Sequence, residues 1–105
     1  MKFTITDQAK EKLKTYDLPE DASFKITSIF SGGCSYTYNY EFSLDYIQAD
    51  DTKFEDNGMT IYLDALTLKH IDEDLKLDYV DGTGFRLIGP GQIYSFHLNV
   101  KRKVK

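Results

Sequence analysis

Six large side chains recur at every second position from Tyr36 to Tyr46: Tyr36, Tyr38, Tyr40, Phe42, Leu44 and Tyr46, against Thr37, Asn39, Glu41, Ser43 and Asp45. Side chains two apart on an extended chain share a face, so the run specifies a strand with one face buried and one wet. A helix would scatter the same residues around its axis. Any fold open to this chain must therefore contain a sheet with an aromatic inner face.

The run is preceded by a second alternating segment, in which Phe24, Ile26, Ser28 and Phe30 face Lys25, Thr27 and Ile29. Between the two lies Ser31-Gly32-Gly33-Cys34-Ser35, which holds the only cysteine of the chain. Glycine tolerates backbone angles closed to other residues and leaves no Cβ in the way, so the chain can turn here and a ligand or second chain can come close. An extended segment starting at Cys34 would put its thiol beside the tyrosine row. The tyrosines themselves read first as strand packing.

With 105 residues and 41% hydrophobic content, the chain fits one domain with its own core. One cysteine excludes an internal disulfide and a zinc site built from the cysteines of a single chain, which suits a reducing compartment. No apolar leader and no run long enough to cross a membrane is present, so residence is expected to be cytoplasmic. The net charge of −4 conceals an uneven distribution, because residues 1–100 hold nine basic against 17 acidic side chains. An acidic body argues against a nucleic-acid surface. The basic residues at 101–105 are expected to form a solvated terminus.

Thr6 is placed to cap a helix carrying Ala9, Leu13 and Tyr16 on one side, ended by Asp17-Leu18-Pro19. Asn57-Gly58 supplies the residues of a type I′ turn, predicting a hairpin with Met59, Ile61 and Leu63 on one face of its second arm. Asp64 can cap a short helix with Ala65, Leu68 and Ile71 on one side, closed by Asp72-Glu73-Asp74. Leu75, Leu77 and Tyr79 predict a strand, Asp81-Gly82-Thr83-Gly84 a turn, and Phe85 and Leu87 another strand. After Gly89-Pro90-Gly91 a last strand is expected, with Tyr94, Phe96, Leu98 and Val100 on one face and Ser95, His97 and Asn99 on the other. The fold class that follows is α+β, mostly β: about six strands in a curved sheet or small barrel-like sandwich, with an N-terminal helix and one short middle helix.

These residues, in this order, resemble the A-type iron–sulfur carrier family, also called the HesB-like or iron–sulfur biogenesis domain. The likeness rests on Ile5-Thr6 with Ala9 and Leu13, the hinge at Ser31–Ser35 leading to Tyr40-Glu41-Phe42, and Phe54-Glu55-Asp56-Asn57-Gly58. It continues through Ile61, Asp64 and Leu68, then Leu77-Asp78-Tyr79-Val80 and Gly84-Phe85-Arg86-Leu87 to Pro90. It spans nearly the whole chain. It implies a bacterial carrier that holds iron or an iron–sulfur cluster between protomers and hands it to apoproteins. Members of the family carry a Cys-x-Cys pair after the proline; here Phe96 and Leu98 stand in its place. With Gln92-Ile93-Tyr94, the ending is similar to a cysteine-poor branch found in Gram-positive bacteria.

Clusters are commonly held by four thiolates, some replaceable by histidine. One chain offers Cys34, and a two-fold dimer would supply two thiolates and two histidines, with His97 the candidate second ligand. An exogenous thiol such as glutathione could complete the set. On the polar face of its strand, His97 reads first as an exposed or side-chain-bonded histidine and second as a ligand, and His70 reads as a favourable charge at a helix C-terminus. Asp50-Asp51 lacks the spaced oxygen ligands of a calcium loop. A Cys34–His97 nucleophile and base would have no identified orienting group, so an enzyme is not expected. The alternative to a carrier is a metal-free interaction module with Gly32, Gly33, Ser35, Tyr36 and Tyr38 as its docking surface.

Overall fold

The computed structural model describes residues 1–31 and 37–104. Element order is β1 (Phe3–Ile5), α1 (Asp7–Leu13), β2 (Ala22–Ser31), β3 (Thr37–Tyr46), β4 (Thr52–Asp56), β5 (Met59–Leu63), α2 (Ala65–His70), β6 (Leu75–Val80), β7 (Gly84–Ile88), β8 (Ile93–Leu98) and β9 (Val100–Arg102). The strands form two sheets, β1-β6-β7-β8 and β4-β5-β2-β3-β9. The mostly-β class with two helices is as the sequence predicts, with more strands than the six or so expected.

The local signals act as their chemistry requires. Thr6 caps α1 by accepting from the Ala9 N–H, and Asp64 caps α2 by accepting from that of Thr67. Asn57 and Gly58 both have positive φ, 52° and 75°, and join β4 to β5. That is the pairing a type I′ turn needs.

The two alternating runs pair as one long antiparallel hairpin from Ala22↔Tyr46 to Ser31↔Thr37. Its inner face contributes Phe24, Ile26, Phe42 and Leu44 to a single core, joined there by Leu77, Phe85 and Leu87 from the other sheet. Each such side chain stabilises the fold by roughly 1.5–3 kcal/mol through burial. The sheets approach at both ends: the Phe3 and Phe54 rings lie 5.7 Å apart, and the Tyr40 and Tyr94 rings 5.8 Å apart, edge to face. The result is an open, barrel-like sandwich.

Several expectations change. The first helix ends at Leu13, so Tyr16, expected on its buried side, follows it. In α2 the buried side chains around the helix are Thr67 and the following Ile71, while Ala65 is exposed. The run Tyr94–Val100 is not one strand: β8 ends at Leu98, and after Asn99 the chain joins the other sheet as β9, parallel to β3. Within the basic stretch expected at 101–105, Lys101, Arg102 and Lys103 are exposed, but the backbone there is anchored, since Val100 pairs with Phe42 and Val104 is buried in the core. Lys101 and Lys103 nonetheless reach Glu41 on β3.

Candidate functional site

The β2–β3 hairpin carries the candidate cysteine in its connection. Gly32, Gly33, Cys34, Ser35 and Tyr36 lie outside the described residues, as does the side chain of Tyr38, whose backbone pairs with Phe30. The last described rung before the connection is Ser31↔Thr37, and two rungs earlier Ile29 pairs with Asn39.

Ile29 and Asn39 line a groove of about 300 Å³ together with Glu41, His97, Asn99 and Lys101. His97 reaches it because β8 is bulged. Leu98 pairs with Phe85 and Ser95 with Leu87, so three steps of β8 span two of β7, and the extra residue turns Phe96 and His97 both outward. His97 is exposed, as its place on the polar face predicts; Phe96, expected on the inner face, is exposed as well. Gly84 permits this crossing, since a Cβ there would lie 2.9 Å from the Leu98 carbonyl oxygen.

Glu41 was legible only as a polar-face residue. In the fold it is buried, and it receives the ammonium groups of Lys101, at 3.2 Å, and of Lys103. Burial alone would push the carboxyl up, but the two lysines outweigh it and hold the group below the ordinary glutamate range. The basic triplet at 101–103 was the available signal, but it does not by itself name the carboxylate it meets. On the same sheet Lys25 and Asp51 form a buried 2.7 Å ion pair, which commits Asp51 to structure. On the core side, Tyr94 meets Tyr40 and donates its hydroxyl to Glu73; burial and that carboxylate push the phenol up to about 12. Tyr94 thus ties β8 to the segment before β6.

Among the described residues, no three or more His, Cys, Asp or Glu side chains gather as a metal cluster. His97 brings one imidazole to the groove. No helix among the described residues is long and apolar enough to cross a membrane.

Comparison with known proteins gives the family and the fold. The chain is 30% identical over 95 residues to the iron-binding protein IscA of Salmonella arizonae, covering 86% of this chain and 87% of that one. It is 29% identical over 92 residues to the iron–sulfur cluster insertion protein ErpA of Blochmanniella floridana, covering 83% and 76%. Two crystal structures share the fold. One is of a protein assigned to Fe–S biosynthesis from Lactobacillus acidophilus, with TM-score 0.71, 17% identity, and 97% and 90% coverage. The other, assigned likewise, is from Lactobacillus salivarius, with TM-score 0.70, 19% identity, and 97% and 98% coverage. The model of the iron–sulphur cluster biosynthesis family matches residues 1–102, and the chain belongs to that family.

Proposed function

We propose that the protein carries iron or an iron–sulfur cluster as cargo, held through Cys34 across a homodimer with His97 as a second donor, and passes it to apoproteins. Family membership over residues 1–102 supports the cargo class. The observation that carries the site is the position of His97, which faces a groove shared with Ile29 and Asn39, two rungs from the end of the hairpin whose connection contains Cys34. Thiolate and imidazole are both ligands for iron, and a two-fold axis doubles each donor. Two thiolates and two imidazoles hold a cluster less firmly than four thiolates, which suits a cargo that must leave; a small exogenous thiol such as glutathione can complete the set. The role is that of a carrier rather than a catalyst, in a reducing, cytoplasmic setting where thiolates persist.

A second reading is favoured by Phe96, an exposed aromatic at a place where the family's ligand pair is expected. On that reading the scaffold binds protein without metal, and Gly32, Gly33, Ser35, Tyr36 and Tyr38 contribute the contact surface.

Anaerobic reconstitution with iron and sulfide, followed by visible absorption and metal analysis, separates the two. Uptake by the native chain that falls to background in Cys34→Ala and is reduced in His97→Ala is the expected result, with light scattering reporting a dimer. Equal uptake by native chain and Cys34→Ala, or a strict monomer when loaded, ends the carrier proposal.

A further inference from the structure

β9 belongs to one sheet, yet the chain that delivers it comes from the other. After Leu98 closes the ladder with β7, Asn99 alone connects β8 to β9. The corner is crowded: at Gly84, whose φ is 124°, a Cβ would stand 2.9 Å from the Leu98 carbonyl oxygen and 3.3 Å from the Asn99 Oδ1. On β3 the strand has three rungs, Phe42↔Val100, Ser43↔Lys101 and Leu44↔Arg102, and the buried Val104 side chain follows them. Lys101 and Lys103 reach Glu41 from exposed positions. Opposite Lys101, Ser43 is fully buried, and its hydroxyl has no hydrogen-bond partner among the described residues. This rung therefore closes over a desolvated hydroxyl, a cost that opening relieves.

The residue pattern asks for a different path. Tyr94, Phe96, Leu98 and Val100 alternate with Ser95, His97 and Asn99 without a break, as in one straight strand. A straight path through Asn99 carries β9 away from its own β3. We propose that β9 exchanges between two copies of this chain, each lying on the β3 of the other as it lies here on its own. The contacts already present fix the occupant, because a second copy brings Val100 to Phe42, two lysines to Glu41 and Val104 to the core at the right spacing. Exchange restores all of these and alters only the corner, so hinge and concentration decide between the forms. A one-residue hinge has no slack, which favours the open path. Charge favours it too: the arriving strand is basic, and residues 1–100 hold nine basic against 17 acidic side chains. The groove that His97 faces then takes Glu41 from one copy and Lys101 from the other, so the exchanged pair shares its two grooves. The exchange goes beyond the cargo reading and does not rest on it.

The test uses the full chain without iron. In a Cys34→Ala background, Ser43→Cys and Lys101→Cys place two thiols on one rung, within reach of a disulfide. At raised protein concentration and under mild oxidation, the double variant is expected to run as a covalent dimer on a denaturing, non-reducing gel. An equimolar mixture of the two single variants, unfolded and refolded together, should form a mixed dimer that neither forms alone. Two glycines inserted after Asn99 give the hinge slack and should turn the double variant to an internal disulfide in a monomer. Light scattering checks the same point without new thiols: a dimer for the native chain, a monomer once the glycines are inserted. The proposal is overturned by a native chain that stays monomeric at every concentration, by a dimer that survives the insertion, or by a covalent dimer of Lys101→Cys alone as abundant as that of the pair. A native dimer whose double variant closes only internally is a face-to-face pair of closed chains; it overturns the exchange and leaves the carrier reading standing. Failed iron uptake on reconstitution does the reverse.

Discussion

Phe96 and Leu98 stand two residues apart in β8 and share no environment: Phe96 is 55% exposed and Leu98 6%. Strict alternation would put both on one face, and the bulge opposite Phe85 and Leu87 removes that equivalence. Leu98→Ala should therefore cost about 2–4 kcal/mol in urea unfolding, and Phe96→Ser less than about 0.5 kcal/mol. Similar losses at the two positions would mean that the bulge is absent in solution.

The same relationship predicts thiol accessibility. In a Cys34→Ala background, Phe96→Cys should react with a maleimide on the order of ten-fold faster than Leu98→Cys, because only the first thiol meets solvent without local opening. The two ligand positions that the family resemblance assigns to this segment are thus inequivalent here, and a restored Cys-x-Cys pair could not present both sulfurs to one metal unless β8 slipped its register. Matching rates would show that such a slip occurs readily.

Asp78 is held from two sides, by the Thr6 hydroxyl at 2.7 Å and by Arg86 at 3.0 Å. Burial acts to raise its carboxyl, yet the Thr6 and Arg86 contacts win and hold it below the ordinary aspartate value of 3.8. Between the folded value and the unfolded one the unfolded chain binds more protons, so stability rises with pH in that window and is fully present above it. It is lost as pH falls through the folded value. Asp78→Asn should flatten the acid limb of the stability curve below about pH 4 and also lower stability at neutral pH; an unchanged acid limb would count against this network.

What could be read from the chain was what neighbours in sequence decide. The Asn57-Gly58 turn, the Thr6 and Asp64 caps and the inner face Phe24–Ile26 with Phe42–Leu44 depend on side chains a few positions apart, and each formed as its local chemistry required. The break at Asn99 does not. Tyr94 to Val100 alternates without interruption, and the split arises because Leu98 must pair with Phe85 while Val100 pairs with Phe42 in the other sheet. The parallel pairing of Phe3–Ile5 with Leu75–Leu77 likewise joins segments 72 positions apart, and no pattern in either announces it. At the candidate site, His97 could be placed on a polar face, but its companions Asn39 and Glu41 emerged only from the meeting of β3 with the turn between β8 and β9.

Glu41 fastens that turn. It is the one carboxylate shared by Lys101 and Lys103, and the Lys103 N–H also donates to the Leu44 carbonyl at 2.9 Å. Glu41→Gln leaves both ammonium groups free to return to water, so the loss should be modest, about 1–2 kcal/mol, and concentrated in β9. Hydrogen exchange at the Lys103 amide should accelerate more than at Ile26 in the hairpin core; uniform acceleration would show that β9 does not open on its own.

Thr67 supplies the last prediction. It is fully buried on α2, donates its hydroxyl to the Asp64 carboxylate that caps the helix, and receives the Ser28 hydroxyl at 2.8 Å. Because one hydroxyl hydrogen cannot serve both neighbours, the donor order runs from Ser28 to Thr67 to Asp64. This relay fixes α2 to β2 three residues before the hairpin reaches Ser31. Thr67→Val keeps the shape but strands the buried Ser28 donor, so it should cost about 1–3 kcal/mol, while Thr67→Ser keeps the hydroxyl and loses only a methyl, about 1 kcal/mol. If the relay also steadies the hairpin that carries Cys34, Thr67→Val should lower iron uptake after reconstitution and Thr67→Ser should not. Equal stability of the valine and serine variants would show that the methyl group, not the relay, accounts for the burial of Thr67.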